Sequence, residues 1–134
     1  MKGRPKIGAQ AELRFAVAAE HAIDFARNGM PAVLSTPTLV GFLERTAREV
    51  MLPLLDANER TVGIEIEVRH LAPTPVGQSV TCIARVIQVE STQATFQVEA
   101  RDEQEIIARG LHKRQVIRVE PFAHRVARKA ASTS

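Results

Sequence analysis

Five separate stretches of the chain are predicted to be β-strands, and in three of them (residues 11–18, 62–69 and 94–101) apolar residues recur at every second position, which is the period of a strand with one buried face. The first stretch covers residues 11–18, and four more follow residue 60. The clearest alternation places one set on the buried face, namely Val62, Ile64, Ile66 and Val68. The later stretches cover residues 79–90, 94–101 and 106–119. The pattern predicts one strand, a long interval and then four antiparallel strands.

The interval before residue 60 carries a broad apolar stripe at helical spacing. Thr36 is a favourable N-cap, and Pro37 suits the first helical position because its missing N–H would have no partner there. We expect the helix to begin at Pro37 and to continue through the apolar stretch from Thr38 to Leu55, with Pro53 bending or ending it. A helix with so few polar positions is expected to be mostly surrounded by protein.

A strand, one long helix and at least four antiparallel strands predict an α+β domain of the hotdog type, an antiparallel sheet wrapped around one long central helix. Gly110 would allow the helix or another backbone to approach its strand closely. Residues 1–10 are expected to form a flexible leader, residues 11–122 the hotdog domain and residues 123–134 a basic flexible tail. By analogy with other hotdog proteins, two copies are expected to pair edge to edge as a homodimer.

The composition of the 134-residue chain is that of one globular domain, with 45% hydrophobic and 25% charged residues. The net charge of +3 is concentrated at the two ends. Aromatic and basic residues do not interleave as they do in proteins that bind single strands, so no nucleic-acid partner is expected. No apolar stretch approaches the roughly 20 residues that span a membrane, so we expect no membrane partner and a cytoplasmic location. Cys82 is expected to be a buried core residue.

Three polar residues occupy positions that fit either a catalytic or a purely structural role. Glu44 falls on the apolar stripe of the helix, where a carboxylate is either functional or paired with Arg48 one turn on. His70 ends an alternating strand on its buried face, as either a proton shuttle directed at the helix or a histidine bonded to backbone. Thr36 is either a cap alone or a group beside free helical N–H groups that could stabilise an oxyanion.

Thr36 and Glu44 are separated by about 12 Å along the helix axis, so they are expected to meet across a dimer interface. His21, His112 and His124 show no metal-ligand spacing with each other or with the single cysteine, and no metal is expected. We expect His112 to be an ordinary strand residue.

Several short motifs recur in a fixed order. Residues 33–37 read Val-Leu-Ser-Thr-Pro, residues 41–44 Gly-Phe-Leu-Glu, residues 61–63 Thr-Val-Gly, residues 68–77 Val-Arg-His-Leu-Ala-Pro-Thr-Pro-Val-Gly, and residues 110–114 Gly-Leu-His-Lys-Arg. Their order and spacing resemble the fluoroacetyl-CoA thioesterase family of hotdog proteins over roughly residues 11–125.

The resemblance implies that Thr36, Glu44 and His70 are catalytic. It also implies that Gly63 lines the acyl pocket and that Arg114 supplies a basic group near it. The implied function is an acyl-CoA thioesterase that hydrolyses a small acyl-CoA to the free acid and coenzyme A. Glu44 would be base or nucleophile, His70 would handle protons, and Thr36 would orient Glu44 or water, or itself attack. No external cofactor is implied, because coenzyme A enters with the substrate.

Two other functions stay open: a non-catalytic acyl-CoA-binding or regulatory module, and a hydratase or dehydratase acting on a thioester. The acidic-Pro-His motif of hotdog hydratases is not found in the sequence. The segment from Phe15 to Thr36 is shorter than the one that forms an aromatic lid in the fluoroacetyl-specific enzyme, and Pro37 stands where that enzyme has Gly. We therefore expect little preference for fluoroacetyl-CoA over other acyl-CoAs.

Overall fold

The fold is described by a computed structural model that covers residues 1–132. Its elements in chain order are β1 (Gln10–Ala16), a 3-10 turn (Ala19–His21), α1 (Thr36–Met51), a second 3-10 turn (Leu52–Leu54), β2 (Glu59–His70), β3 (Ser79–Glu90), β4 (Gln93–Arg101), β5 (Ile106–Arg118) and α2 (Val119–Ala131). The strands form one antiparallel sheet in the order β1-β3-β4-β5-β2. Helix α1 packs on one face of this sheet, mainly against β3 and β1. The predicted hotdog fold is confirmed.

The core lies between α1 and the inner face of the sheet. Every second residue is buried from Val80 to Val86 in β3 and from Ala94 to Ala100 in β4, as the two-residue period predicts. Cys82 is one of these residues, and burial raises the pKa of its thiol to about 12, so it is a core residue as predicted. On α1 the buried residues are Leu39, Leu43, Thr46, Ala47 and Met51.

Helix α1 is less enclosed in a single chain than its composition predicts. One side of the helix is exposed, and its residues include Gly41, Arg45, Arg48 and Glu49. The helix also begins one residue differently from the prediction. Ser35 is the N-cap and its hydroxyl accepts a hydrogen bond from the Thr38 N–H, so Thr36 is already the first helical residue. The hydroxyl of Thr36 is therefore not committed to capping.

A β-bulge in β2 changes the predicted pattern of buried residues. The pairing with β5 shifts between Gly63 and Glu65, so Ile64 is an extra residue in the ladder and is 48% exposed. Residues before the bulge face inward at odd numbers, and residues after it face inward at even numbers. Gly63 and His70 consequently lie on the same inner face, although the uninterrupted alternation placed them on opposite faces. The pattern could not reveal the bulge because Ile64 is apolar.

Strands β2 and β5 approach most closely at Gly110. A Cβ atom at this position would collide with the carbonyl oxygen of Glu67, so a side chain is excluded. The close neighbour is thus backbone, which was one of the two predicted possibilities.

The first segment of the chain makes hydrogen bonds to the domain, and the last segment contains a helix. The Lys2 N–H donates to the Leu54 carbonyl at 2.7 Å, and the Gly8 N–H donates to Val86 at 2.8 Å, so residues 1–9 are tied to the domain. Residues Val119–Ala131 form the exposed helix α2, whose Glu120 in the first turn and basic last turn suit the helix dipole. This helix includes most of the predicted basic tail, and residues 133 and 134 lie outside the described residues. No described helix is both long and apolar enough to cross a membrane.

Candidate active site

The first polar group of the site is a pair formed by Thr36 and His70. The Thr36 Oγ1 lies 2.8 Å from the His70 Nδ1, which joins the start of α1 to the end of β2. Two backbone hydrogen bonds fix these ends. The Ser35 N–H donates to the His21 carbonyl at 2.9 Å, and the Leu71 N–H donates to the Ile107 carbonyl at 2.7 Å. The pair is thus held by the fold.

The environment of His70 favours an uncharged imidazole. Burial lowers the pKa of His70, and its Nε2 is buried without a hydrogen-bond partner among the described residues. A neutral imidazole with a free nitrogen can accept or donate a proton near neutrality. An open cavity of about 300 Å³ lies beside the pair. Apolar residues dominate its lining, which includes Ile23, Phe25, Met30, Val33 and Leu71.

The second polar group gathers around Glu44 in the middle of α1. Its side chain is 39% exposed, and its Oε2 lies 3.6 Å from the Arg114 Nη1, whereas the sequence had suggested Arg48 as its ion-pair partner. A Cβ atom on Gly63 would lie 2.8 Å from the same oxygen, so a side chain at this position would force the Glu44 carboxylate to move. Glu44, Gly63 and Arg114, all predicted site residues, therefore meet here.

Arg114 is held by β2 although it belongs to β5. Its Nε donates to the Thr61 hydroxyl and its Nη2 to the Thr61 carbonyl, both at 2.9 Å. Its Nη1 lies 3.2 Å from the His112 Nε2. Arg114 is only 5% exposed, so its charge is fixed in the wall of the sheet next to the Glu44 carboxylate.

His112 was predicted to be an ordinary strand residue, and this prediction is incomplete. It is 1% exposed, and its Nδ1 lies 2.8 Å from the Glu65 carbonyl oxygen. Burial lowers the pKa of His112, and the charge of Arg114 lowers it further. The available signal was its spacing, because His112 and Arg114 are two residues apart and must share one face of β5. Thr61 was also missed, because its partner is distant in sequence.

Within one chain the two polar groups stay apart. Thr36 and Glu44 are separated by about 12 Å along α1. His70 and Gly63 are separated by seven residues of β2, roughly 23 Å. The structure therefore brings Thr36 to His70, and Glu44 to Gly63 and Arg114, but leaves the three predicted catalytic residues in two places. Among residues 1–132, no cluster of His, Cys, Asp and Glu has a metal-binding arrangement.

Comparison with known proteins gives a consistent result. The family model for the fluoroacetyl-CoA-specific thioesterase FlK matches residues 17–120. The fluoroacetyl-CoA thioesterase of Streptantibioticus cattleyicolor is 36% identical over 99 residues, which are 74% of this chain and 71% of that protein.

Solved structures agree with the family match. A structure of FlK is 31% identical, covers 92% of this chain and 96% of its own, and has a TM-score of 0.86. An FlK variant bound to fluoroacetate and CoA is 30% identical, with a TM-score of 0.81 over 87% of this chain and 98% of its own. A hot-dog-like protein from Thermanaerovibrio acidaminovorans, at 24% identity, shares the fold with a TM-score of 0.84 over 92% of this chain and 91% of its own. The chain belongs to the family of fluoroacetyl-CoA-specific thioesterases.

Proposed function

We propose that the protein is an acyl-CoA thioesterase that hydrolyses a small acyl-CoA to the free acid and coenzyme A. The observation that carries this proposal is the meeting of Glu44, Gly63 and Arg114 in a chain of a thioesterase family. A half-exposed carboxylate, a glycine that leaves room for that carboxylate and a fixed cation form a small polar recess. The carboxylate can act as nucleophile or base, and the cation can stabilise negative charge that develops on the acyl carbonyl oxygen.

Glu44 acts in this proposal on the carbonyl carbon of the thioester, as nucleophile or as the base that activates water. In the direct route, water adds to the carbonyl carbon and gives a proton to the Glu44 carboxylate. The carbon–sulfur bond then breaks, and the leaving thiolate takes a proton to become the thiol of coenzyme A. In the alternative route, the Glu44 carboxylate attacks the carbonyl carbon and the carbon–sulfur bond breaks, so coenzyme A leaves as a thiolate that takes a proton. Water then hydrolyses the resulting anhydride, which releases the acid and restores Glu44. Both routes yield the same acid and thiol.

His70 and Thr36 serve the proton transfers. In the direct route a neutral His70 can relay the proton that Glu44 has taken from water to the leaving thiolate, and the Thr36 hydroxyl fixes the orientation of the ring through Nδ1. Thr36 also lies in the first turn of α1, where unpaired N–H groups favour negative charge. These roles need the pair close to Glu44, which one chain does not provide.

A homodimer would join the two groups. In an antiparallel crossing of two α1 helices near residue 40, Thr36 of one copy lies opposite Glu44 of the other. An antiparallel pairing of two β2 edges centred between residues 66 and 67 places His70 of one copy opposite Gly63 of the other. One two-fold axis can satisfy both conditions, and β2 is an edge strand of the sheet. We therefore propose that each active site uses residues of both copies.

The acyl group is the finer part of the proposal. The relatives act on fluoroacetyl-CoA by name. In this chain Phe25 is 60% exposed and Met30 is 45% exposed, so the cavity beside Thr36 is open. An open cavity separates small acyl groups poorly, by roughly 1–3 kcal/mol per methylene. We therefore propose a small acyl-CoA substrate without a strong preference for the fluoroacetyl group, and the cytoplasmic location remains a prediction.

The test is thiol release from acetyl-, fluoroacetyl-, butyryl- and phenylacetyl-CoA by the wild-type protein and by Glu44→Gln. The wild type is expected to hydrolyse at least one substrate, and Glu44→Gln to lower kcat by about 10²-fold or more, because the amide can neither attack nor take the proton. Glu49→Gln, an exposed carboxylate on the same helix, is the matched control and is expected to keep wild-type rates.

Tight binding of acyl-CoA without thiol release would instead support a non-catalytic binding module. Near-normal rates in a folded Glu44→Gln protein would contradict the assigned role of the carboxylate. A preference for fluoroacetyl-CoA over acetyl-CoA of several orders of magnitude would contradict the proposed selectivity alone.

A further inference from the structure

Three polar side chains are buried in the wall of the sheet next to Glu44. Their exposed fractions are 8% for Thr61, 1% for His112 and 5% for Arg114. Burying polar and charged groups costs free energy unless they are paired, and apolar residues of similar size often serve stability equally well. The fold alone therefore gives no reason for this trio.

The hydrogen bonds of His112 fix which of its nitrogens carries the proton. A carbonyl oxygen only accepts, so the Nδ1 that lies 2.8 Å from the Glu65 carbonyl must be the protonated nitrogen. In the neutral ring Nε2 is then an acceptor, and Arg114 Nη1 donates to it at 3.2 Å. A doubly protonated ring would turn this contact into a repulsion between two cations. The geometry thus requires a neutral His112 with its proton on Nδ1.

Arg114 consequently has all three of its nitrogens engaged. Thr61 holds Nε and Nη2, and His112 takes Nη1, the nitrogen that also faces Glu44 at 3.6 Å. A guanidinium and a carboxylate left to themselves form shorter, often two-point contacts. The distance of 3.6 Å is longer than a hydrogen bond, so the guanidinium is near the carboxylate without closing on it.

Gly63 shows that the same ring borders the recess beside Glu44. A Cβ atom there would lie 2.8 Å from the Glu44 Oε2 and 3.0 Å from the His112 Cε1. The carboxylate and the edge of the imidazole therefore flank one small space. A displaced ring would shift both the guanidinium and the boundary of that space.

We propose that His112 is a positioning residue for the thioesterase reaction: it holds the Arg114 guanidinium at a fixed place beside Glu44 and keeps it from pairing fully with that carboxylate. This role rests on the proposed function. It keeps the Glu44 carboxylate free to attack or to take a proton, while the positive charge stays where negative charge develops on the substrate.

The test compares His112→Leu with His112→Gln. Leu removes the acceptor for Arg114, so kcat is expected to fall roughly 10- to 100-fold, the range that small misplacements of catalytic groups produce, with KM nearly unchanged. Gln offers an amide oxygen near the position of Nε2 and is expected to recover most of kcat. Val98→Ala, a buried residue of β4, is the control for lost stability and is expected to keep the wild-type kcat.

A nitrogen-detected NMR spectrum of the wild-type histidines tests the contact without substrate. His112 is expected to show a protonated Nδ1 and an unprotonated Nε2 at about pH 7 to 8, above the ordinary pKa of a histidine. A protonated Nε2 in that range would overturn the proposal, as would an active wild type whose His112→Leu variant matches Val98→Ala in kcat. If the wild type hydrolyses no acyl-CoA, the proposed function fails and this role fails with it.

Discussion

His70 and His112 make the free energy of unfolding depend on pH, and the direction of this dependence follows from their pKa shifts. Burial lowers the pKa of both from the ordinary value of 6.5, so the unfolded chain binds these protons more readily than the folded chain. The free energy of unfolding is therefore greatest above pH 6.5 and falls as the pH drops below it. Carboxylates with lowered pKa values, such as Asp102, contribute stability that is present above their ordinary pKa of 3.8 and is lost only as the pH falls below that value.

Urea unfolding at pH 7.5 and at about pH 5.2 measures this effect, because the ordinary histidine pKa lies between these two values. The urea midpoint is expected to be lower at the acidic pH. In His112→Gln the difference between the two midpoints is expected to shrink, since one of the two titrating groups is removed. An equal or higher midpoint at the acidic pH would contradict the neutral state assigned to both rings.

Single residues also show which parts of the site a sequence can reveal. Glu44 and His70 are detectable because each is a polar group at a position where the local period predicts burial. Thr61 and His112 are not detectable in this way, because their partners, Arg114 and the Glu65 carbonyl, become neighbours only when β2 and β5 pair. The polar network that holds Arg114 is a product of strand pairing, which no local pattern encodes.

At the scale of elements, α1 and β2 decide where the site residues point. The bulge at Ile64 turns Gly63 and His70 to the same face, and the Ser35 cap leaves the Thr36 hydroxyl free for His70. Period, caps and proline positions predicted both elements with small errors in their ends. The bulge could not be predicted, because an apolar residue at its position continues the alternation that it breaks.

Gly41 provides a test of the exposed side of α1. A Cβ atom there meets nothing within 4 Å in a single chain, so a larger side chain should fit, and replacing a helical glycine usually stabilises by about 0.5–1 kcal/mol. If two α1 helices cross near residue 40, Gly41→Leu is expected instead to weaken the dimer and lower kcat. Light scattering and thiol release measure both. Arg45→Leu, on the same exposed side one turn on, controls for added apolar surface, and a dimeric, active Gly41→Leu protein would refute the crossing.

At the scale of the whole molecule, the predicted hotdog architecture is confirmed, whereas the predicted leader and tail stay predictions. The order of one strand, one helix and four strands left few ways to cover the helix, so the hotdog fold followed from the pattern. Contacts of the terminal segments, such as the hydrogen bond between Lys2 and Leu54, could not be predicted because composition does not show them. A single chain keeps Glu44 apart from Thr36 and His70, so an active site shared by two chains remains a proposal.

Mixing two inactive variants tests whether each active site combines two copies. Glu44→Ala and His70→Ala proteins are unfolded together and refolded, so that about half of the dimers contain one chain of each kind. If Glu44 of one copy works with Thr36 and His70 of the other, each mixed dimer regains one intact site, and total activity is expected to reach about a quarter of wild type. Thr36→Val mixed with His70→Ala is the matched control. Those two residues are hydrogen-bonded within one chain, so this mixture is expected to gain nothing over the average of its parents. Demonstrated mixed dimers of Glu44→Ala and His70→Ala without recovered activity would show that each site belongs to one chain.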